Sequence, residues 1–133
     1  IGLKLQFYTD EEGRCITRFQ PRPEHQGYPG HLHGGIISSL LDEIMARVLT
    51  LADVWAATAH MEVQFRKPVP LDQELIIIGQ LVSNRSRVYE ARGEMRLADG
   101  TLLAEASGTY VRIPDERLAE ARAAFDVWEA APA

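Results

Sequence analysis

The run from Ile36 to Leu51 places the strongest constraint on the fold, because its apolar residues recur with the spacing of an α-helix. At 100° per residue they cover an arc of roughly 220°, which is wider than the stripe that a helix on a protein surface needs. The apolar residues are Ile36, Ile37, Leu40, Leu41, Ile44, Met45, Val48 and Leu49. We therefore predict a helix that is buried on most sides, as if a β-sheet were wrapped around it.

The rest of the chain supplies strands for such a sheet. One strand is predicted before the helix, and four antiparallel strands joined by short turns are predicted after it. The predicted strands are 14–21, 59–65, 74–82, 87–97 and 101–113. In the strand 59–65, the residues predicted to share one apolar face are Ala59, Met61, Val63 and Phe65. This order indicates an α+β fold, a curled antiparallel sheet around one long central helix. A C-terminal helix is predicted over about 114–130, after Pro114.

Length and composition exclude several classes of protein. The 133 residues fit a single domain, 1–133, with a core of about 14–113. A net charge of -5 argues against a nucleic-acid binder. No apolar run reaches the roughly 20 residues of a membrane span, and no signal peptide is visible, so a cytoplasmic location is the default. Cys15 stands alone, which excludes an internal disulfide.

The segment HLHGG, 31–35, directly precedes the helix. A helix N-terminus presents unpaired N–H groups and a partial positive charge, and glycines there let a ligand approach the backbone closely. Gly34 and Gly35 are therefore candidate donors to a carbonyl oxygen that gains negative charge during acyl transfer. An equally weighted alternative is that they only form a tight turn. His33 could act as a general base, but a histidine beside a turn more often bonds the backbone and fixes the loop.

Two adjacent acids compete for a catalytic role. Glu43 lies four residues before Arg47, so the two can pair on the exposed side of the helix. Asp42 lies at the border of the apolar arc, where a carboxylate is less solvated and easier to bring to a substrate. We favour Asp42 for chemistry, with a structural salt bridge or cap as the alternative. The remaining histidines lack a metal-ligand spacing, so neither a metal nor another cofactor is expected.

At this point the sequence resembles a known family. The pattern H-G-G-x-x-x-x-x-x-[DE], followed by a long strand that ends in a basic-Pro turn, is similar to the hotdog-fold acyl-CoA thioesterases. The closest resemblance is to the PaaI-like branch of the 4-hydroxybenzoyl-CoA thioesterase superfamily. The stretches that carry it are QGYPGHLHGGIISSLLDEIM, ATAHMEVQFRKPVPL and SGTYVRI.

The resemblance implies a role for each matching residue. Asp42 would be the catalytic carboxylate, acting either as nucleophile or as general base toward water. The Gly34 N–H would polarise the thioester carbonyl, and His33 would support that loop. Thr58 would contact the nucleophilic water from the partner subunit. Gln26 would match an Asn or Gln that orients the water or the thioester.

The resemblance also implies an obligate homodimer with shared active sites, or a homotetramer, acting on acyl-CoA. An open sheet edge independently favours assembly. Because the chain is net acidic, local basic residues would have to bind the phosphates of coenzyme A. The candidates are Arg66, Lys67, Arg85 and Arg87.

The leading hypothesis is hydrolysis of an acyl-CoA thioester to a free acid and coenzyme A. Three alternatives stay open at this stage. A non-catalytic acyl-CoA sensor could be built on the same scaffold, although the intact acid argues against it. A hydratase or dehydratase would use an Asp and His pair in a different motif. A structural role is the remaining possibility.

Overall fold

The computed structural model describes residues 5–120 and 123–124. Its one long helix, α1 (Gly34–Leu51), lies against a sheet whose strands run in the order β1-β2-β4-β5-β6-β3, every pair antiparallel. The strands are β1 (Phe7–Thr9), β2 (Cys15–Phe19), β3 (Ala56–Phe65), β4 (Leu75–Arg85), β5 (Val88–Leu97) and β6 (Leu102–Arg112). The predicted α+β arrangement of a curled sheet around one helix is confirmed.

The ends of the chain differ from the prediction. A short strand, β1, precedes the predicted first strand and pairs with it. After Pro114 a 3-10 turn, Asp115–Arg117, leads into helical residues 118–120, and residues 123–124 are helical as well. The remainder of the predicted helix 114–130 lies outside the described residues. Within the described part of the chain, no helix combines the length and apolar content that a membrane crossing requires.

Burial of α1 follows the predicted apolar arc. The buried residues are Ile37, Leu40, Leu41, Ile44, Met45, Val48 and Leu49, and Ile36 is partly buried. The closest approach to the sheet is at Gly79 of β4 and Gly93 of β5, which pair with each other. A Cβ built on Gly79 would lie 2.7 Å from the Ile44 carbonyl oxygen, so a side chain there would push the helix away. The two glycines therefore form a groove that receives Ile44.

Strand β3 forms one edge of the sheet and pairs only with β6 among the described strands. Its register with β6 shifts between Thr58 and His60, so Ala59 is the extra residue of a β-bulge. Met61 and Val63 are partly buried, as predicted, but Ala59 and Phe65 are exposed. The prediction of one continuous apolar face was therefore wrong for those two residues, because the bulge interrupts the alternation and the strand lies at the sheet edge.

Candidate active site

The N-terminus of α1 is capped by its own histidine. His33 is the N-cap residue, with φ -62° and ψ 135°, and its Nδ1 accepts a hydrogen bond from the Gly35 N–H at 2.8 Å. A Cβ on Gly35 would lie 3.0 Å from the His33 ring, a tight contact, so glycine at this position leaves room for the ring. The predicted contact between His33 and the backbone is confirmed. The Gly35 N–H, predicted as a candidate donor to substrate, is already engaged.

The amide of Gly34 is the donor that remains at this end of the helix. No described residue accepts a hydrogen bond from the Gly34 N–H. Gly34 is exposed, and a Cβ built on it would meet only Phe65 Cε1, at 4.0 Å. The first N–H groups of a helix also carry its partial positive charge. An oxygen with developing negative charge can therefore reach the Gly34 N–H directly.

The loop before the cap is fixed by hydrogen bonds of its own. Gln26 Oε1 accepts from the Gly30 N–H at 2.8 Å, and the Gly27 N–H donates to the His31 carbonyl at 2.9 Å. The Leu32 N–H donates to the Val69 carbonyl at 2.8 Å, which ties the loop to the chain after β3. The Gln26 side chain thus holds the loop through its oxygen. Its amide nitrogen stays available for the predicted role of orienting water or thioester.

Asp42 lies in the third turn of α1 and is half-buried. Its Oδ1 accepts a hydrogen bond from the hydroxyl of Tyr110 at 3.1 Å, and the hydroxyl of Thr58 lies 3.4 Å from the same oxygen. No described residue donates to Oδ2, and no described residue forms an ion pair with Asp42. The carboxylate is therefore held by two neutral hydroxyls, with one oxygen left to act.

Sequence reasoning did not identify Tyr110. It is fully buried on β6, and its ring passes over Gly108, where a Cβ would lie 2.8 Å from Tyr110 Cε1. The available signal was the segment SGTYVRI: a tyrosine that alternation places inward needs a partner for its hydroxyl, and the glycine two residues earlier makes room for the ring. Burial, and after it the negative charge of Asp42, raises the pKa of Tyr110 well above its usual range.

The resemblance implied that Thr58 contacts the nucleophilic water from the partner subunit, and that role stays a prediction. The structure places Thr58 beside Asp42 of its own chain. The physical reason is the register of the sheet. Thr58 of β3 pairs directly with Tyr110 of β6, and both side chains meet α1 at the level of Asp42.

Gly34 and Asp42 are separated by two turns of the same helix. They are eight positions apart in α1, which at 1.5 Å of rise per residue is about 12 Å. A single carbonyl group that accepts a hydrogen bond from the Gly34 N–H cannot also lie within reach of water held by Asp42 of that chain. Within one chain, the Gly34 N–H and the Asp42 carboxylate therefore lie too far apart to act on the same carbonyl group.

Glu43, the neighbouring acid, has a different environment. Its carboxylate lies 3.5 Å from the guanidinium of Arg47, as the i,i+4 spacing predicted. The pair is not on an exposed side, however, because the Glu43 and Arg47 side chains are only 23% and 13% exposed. The Phe7 ring of β1 covers Arg47 at 4.3 Å from the ring centroid. The strand that was not predicted, β1, is the reason that this pair is buried.

The four basic candidates lie at opposite ends of the sheet. The Arg66 N–H bonds Leu103 at the start of β6, whereas the Arg112 N–H at its end bonds Arg87. Nine residues of strand separate these two points, or about 30 Å. The Arg66 side chain also pairs with Glu105, at 2.7 Å.

At the other end of the sheet, Arg87 lines a cleft of about 410 Å³ together with Arg112, which was not among the candidates. The cleft also contains Asp115 and Glu116. It lies at the end of β6 that carries Tyr110, since Arg112 follows Tyr110 by two residues. Lys67 and Arg85 are exposed.

The chain is similar to several known proteins. The family model described as the Thioesterase superfamily matches residues 29–104. The chain is 31% identical over 112 residues to acyl-coenzyme A thioesterase THEM4 of Bos taurus, covering 84% of this chain and 46% of that protein. The chain thus spans about half the length of the curated relative it matches.

Solved structures share the fold. A crystal structure of a thioesterase superfamily protein superposes with a TM-score of 0.78 at 27% identity, covering 80% of this chain and 55% of that one. A hypothetical thioesterase protein from Streptococcus pneumoniae, solved with coenzyme A, gives a TM-score of 0.76 at 19% identity and covers 82% and 85% of the two chains. Variants of the pneumococcal protein carry alanine in place of an aspartate or of a threonine, 16 positions apart. The predicted hotdog fold is confirmed.

Proposed function

The chain belongs to the thioesterase superfamily, and on that premise we propose that it hydrolyses acyl-CoA thioesters to a free acid and coenzyme A. The observation that carries the proposal is the Asp42 carboxylate. It is half-buried, its Oδ1 is held by Tyr110 and Thr58, and no described residue engages Oδ2. Several relatives are named acyl-coenzyme A thioesterases, which supports the same substrate class here.

The proposed chemistry uses the Gly34 N–H and the Asp42 carboxylate. The thioester carbonyl accepts a hydrogen bond from the Gly34 N–H, which stabilises the negative charge that develops on its oxygen. Asp42 Oδ2 either takes a proton from an attacking water or attacks the carbonyl carbon itself. In both routes the C–S bond breaks and coenzyme A leaves as a thiolate that takes up a proton. When water attacks, it becomes the hydroxyl of the free acid directly. When Asp42 attacks, the acyl group is first joined to the carboxylate as an anhydride, and water then cleaves that anhydride to the free acid and restores Asp42.

The proposed site is formed by two chains. Because the Gly34 N–H and Asp42 are about 12 Å apart along one helix, the two halves can meet only if each comes from a different subunit. In a symmetric dimer, the Gly34 half of one chain would face the Asp42 and Thr58 half of the other, twice over. The unpaired edge of β3 supports such an assembly, since a free strand edge needs cover.

The same geometry accounts for the basic residues. Within one chain, Arg66 and Lys67 follow β3 at the end near Gly34, while Arg85 and Arg87 lie at the end near Tyr110. A site assembled from the Gly34 end of one chain and the Asp42 end of the other would bring both groups to one substrate. The phosphates of coenzyme A would then bind basic residues from two subunits, Arg112 included.

One further feature supports the pairing of Asp42 with Thr58. These residues are 16 positions apart, the same separation as the aspartate and threonine replaced by alanine in the pneumococcal variants. In the proposed dimer, Thr58 would act beside Asp42 of its own chain. The role of Thr58 is to donate its hydroxyl to the carboxylate or to the attacking water.

The proposal is tested by release of free thiol from a panel of aliphatic and aryl acyl-CoAs, with Asp42→Asn as the inactive comparison. Turnover of at least one acyl-CoA by the wild-type protein, and its loss in Asp42→Asn with the fold intact, is expected. Tight binding of acyl-CoA without thiol release would favour the sensor alternative instead. Light scattering of the same sample separates a dimer from a tetramer.

The division of the site between chains is tested by co-expressing two inactive variants. Gly34→Pro replaces the N–H with a ring carbon, and it does so at the first helical position, where proline is well tolerated. The extended backbone of His33 is also compatible with a following proline. If Gly34 and Asp42 act across the interface, random pairing of Gly34→Pro with Asp42→Asn restores about a quarter of wild-type activity. Gly34→Ala, which keeps the N–H, is expected to lose far less activity than Gly34→Pro.

A second mixture locates Thr58. If Thr58 serves Asp42 of its own chain, every site in a mixed dimer of Asp42→Asn and Thr58→Ala carries one defect, and activity is not restored. Restoration to about a quarter of wild type would mean that Thr58 acts across the interface after all.

A further inference from the structure

Tyr110 contacts the proposed catalytic carboxylate, yet it lies outside the motif and the proposed chemistry assigns it no step. Its hydroxyl donates to Asp42 Oδ1 at 3.1 Å, and its side chain is fully buried. A residue without solvent exposure does not touch a substrate that binds from the surface. Its effect on the reaction must therefore pass through Asp42.

We infer that Tyr110 is a positioning residue, which holds Asp42 Oδ1 so that Oδ2 points at the reacting thioester. This inference rests on the proposed function. An aspartate on a helix can rotate about two side-chain bonds, and Asp42 has no ion pair among the described residues to restrict it. The Tyr110 hydroxyl supplies the restriction from β6, a strand that is paired on both sides, with β5 and β3.

Gly108 provides the space that the Tyr110 ring occupies over β6. A Cβ at position 108 would lie 2.8 Å from Tyr110 Cε1 and 3.1 Å from its hydroxyl oxygen. The ring therefore crosses the strand where the chain has no side chain, and that crossing carries the hydroxyl to Asp42. An ordinary core position would not require this space.

The chemistry of a phenol suits this role. A neutral donor stabilises a carboxylate through a hydrogen bond and leaves its negative charge intact. A lysine or arginine would instead neutralise that charge. Burial and the negative charge of Asp42 raise the pKa of Tyr110, so the hydroxyl keeps its proton across the working pH range. It is thus a permanent donor rather than a proton source for the departing thiolate.

The experiment compares Tyr110→Phe with Tyr89→Phe. Tyr89 is a matched control because it is also buried, lies on β5 directly opposite Tyr110, and makes no described contact with Asp42. Tyr110→Phe is expected to lower kcat tenfold to a hundredfold and to leave KM within twofold, because binding does not involve the hydroxyl. Tyr89→Phe is expected to keep kcat within twofold.

Two further measurements separate positioning from packing. In an Asp42→Asn background, Tyr110→Phe should cause no additional loss, since the hydroxyl acts only through the carboxylate. In a titration followed by the ¹³Cζ resonance of Tyr110, Asp42→Asn should lower the pH at which the phenol ionises. The titration needs no enzymatic activity.

The outcomes distinguish the two claims. If Asp42→Asn is inactive but Tyr110→Phe retains full kcat, or loses no more than Tyr89→Phe, the positioning role is overturned and the proposed function stands. If Asp42→Asn keeps most of its turnover, the proposed function falls, whatever the titration shows about the contact between the two side chains.

Discussion

Two neighbouring carboxylates of α1 have opposite kinds of partner on the two sides of the helix. On the side toward β3 and β6, Asp42 receives two neutral hydroxyls and no cation among the described residues. On the side toward β1, Glu43 lies 3.5 Å from the Arg47 guanidinium, which is covered by Phe7. The two residues are adjacent in sequence and about 100° apart around the helix.

On the proposed function, this difference would let one helix carry both a reactive and a structural acid. A guanidinium beside a carboxylate neutralises it and reduces its value as a base or nucleophile, while hydroxyl donors fix its position and preserve its charge. The side of Glu43, here called the structural side, is closed by β1, and the side of Asp42, the proposed reactive side, faces the free edge of β3. On the proposed function, the partners of each acid, rather than its place in the motif, decide its role.

The largest expected effect comes from measuring the activity of variants of both acids, Asp42 and Glu43. Asp42→Asn is expected to lower kcat about a thousandfold, because it removes the group that activates water or attacks the thioester. Glu43→Gln is expected to keep kcat within about threefold. Steady-state thiol release measures both, and a loss of the same size in the two variants would erase the functional distinction.

The same pair should give the opposite result for stability. Glu43→Gln is expected to lower the free energy of unfolding by about 2 to 3 kcal/mol, because the mostly buried Arg47 loses its negative partner. Asp42→Asn is expected to change it by less than about 1 kcal/mol, since asparagine can still accept from both hydroxyls. Urea denaturation followed by circular dichroism measures this. Equal destabilisation would show that both acids are structural.

Cys15, which is buried on β2, should make the free energy of unfolding depend on pH. Burial raises the pKa of the Cys15 thiol from 9.0 to about 11. Between these values the unfolded chain loses the proton and the folded chain keeps it, so unfolding becomes easier as pH rises. The difference of about 2 pH units corresponds to roughly 2.7 kcal/mol at most.

Cys15→Ala should remove this alkaline loss. Its free energy of unfolding, measured in urea at pH 8 to 11, is expected to fall less steeply above pH 9 than that of the wild type. Tyr110 contributes to the decline above pH 10 in both proteins, so the comparison isolates the thiol. Parallel curves for the two proteins would mean that the thiol is not desolvated.

The smallest expected effect concerns Thr58 on the reactive side. Thr58→Ala is expected to lower kcat about tenfold, less than Asp42→Asn, because Tyr110 still holds the carboxylate. Thr109→Ala is the matched control, since Thr109 is a strand threonine beside Tyr110 that makes no described contact with Asp42. If Thr109→Ala loses as much activity as Thr58→Ala, a general weakening of the strands explains both.

Much of this arrangement was accessible from the sequence. The wide apolar arc of 36–51 required a helix surrounded by a sheet, and the capping role of His33 followed from its place before two glycines. Asp42 was preferred over Glu43 because it lies at the edge of that arc. Each inference used local periodicity or spacing, which a sequence displays directly.

The missed features depend on contacts between distant segments. Tyr110 meets Asp42 across 68 residues of sequence, and only the register of β6 against α1 brings them together. Burial of Glu43 and Arg47 depends on β1, a strand of three residues that is too short to show a period. The exposure of Ala59 depends on a bulge, which alternation along one strand cannot reveal.

The groove formed by Gly79 and Gly93 fixes the rotation of α1, because Ile44 enters it two residues after Asp42. A methyl group at position 79 would collide with the helix backbone, and relief of that collision would turn or lift the carboxylate away from its tyrosine. Catalysis would then be sensitive to a residue that no substrate approaches. Substitutions that abolish activity should therefore occur at the two sheet glycines as well as in the HGG motif.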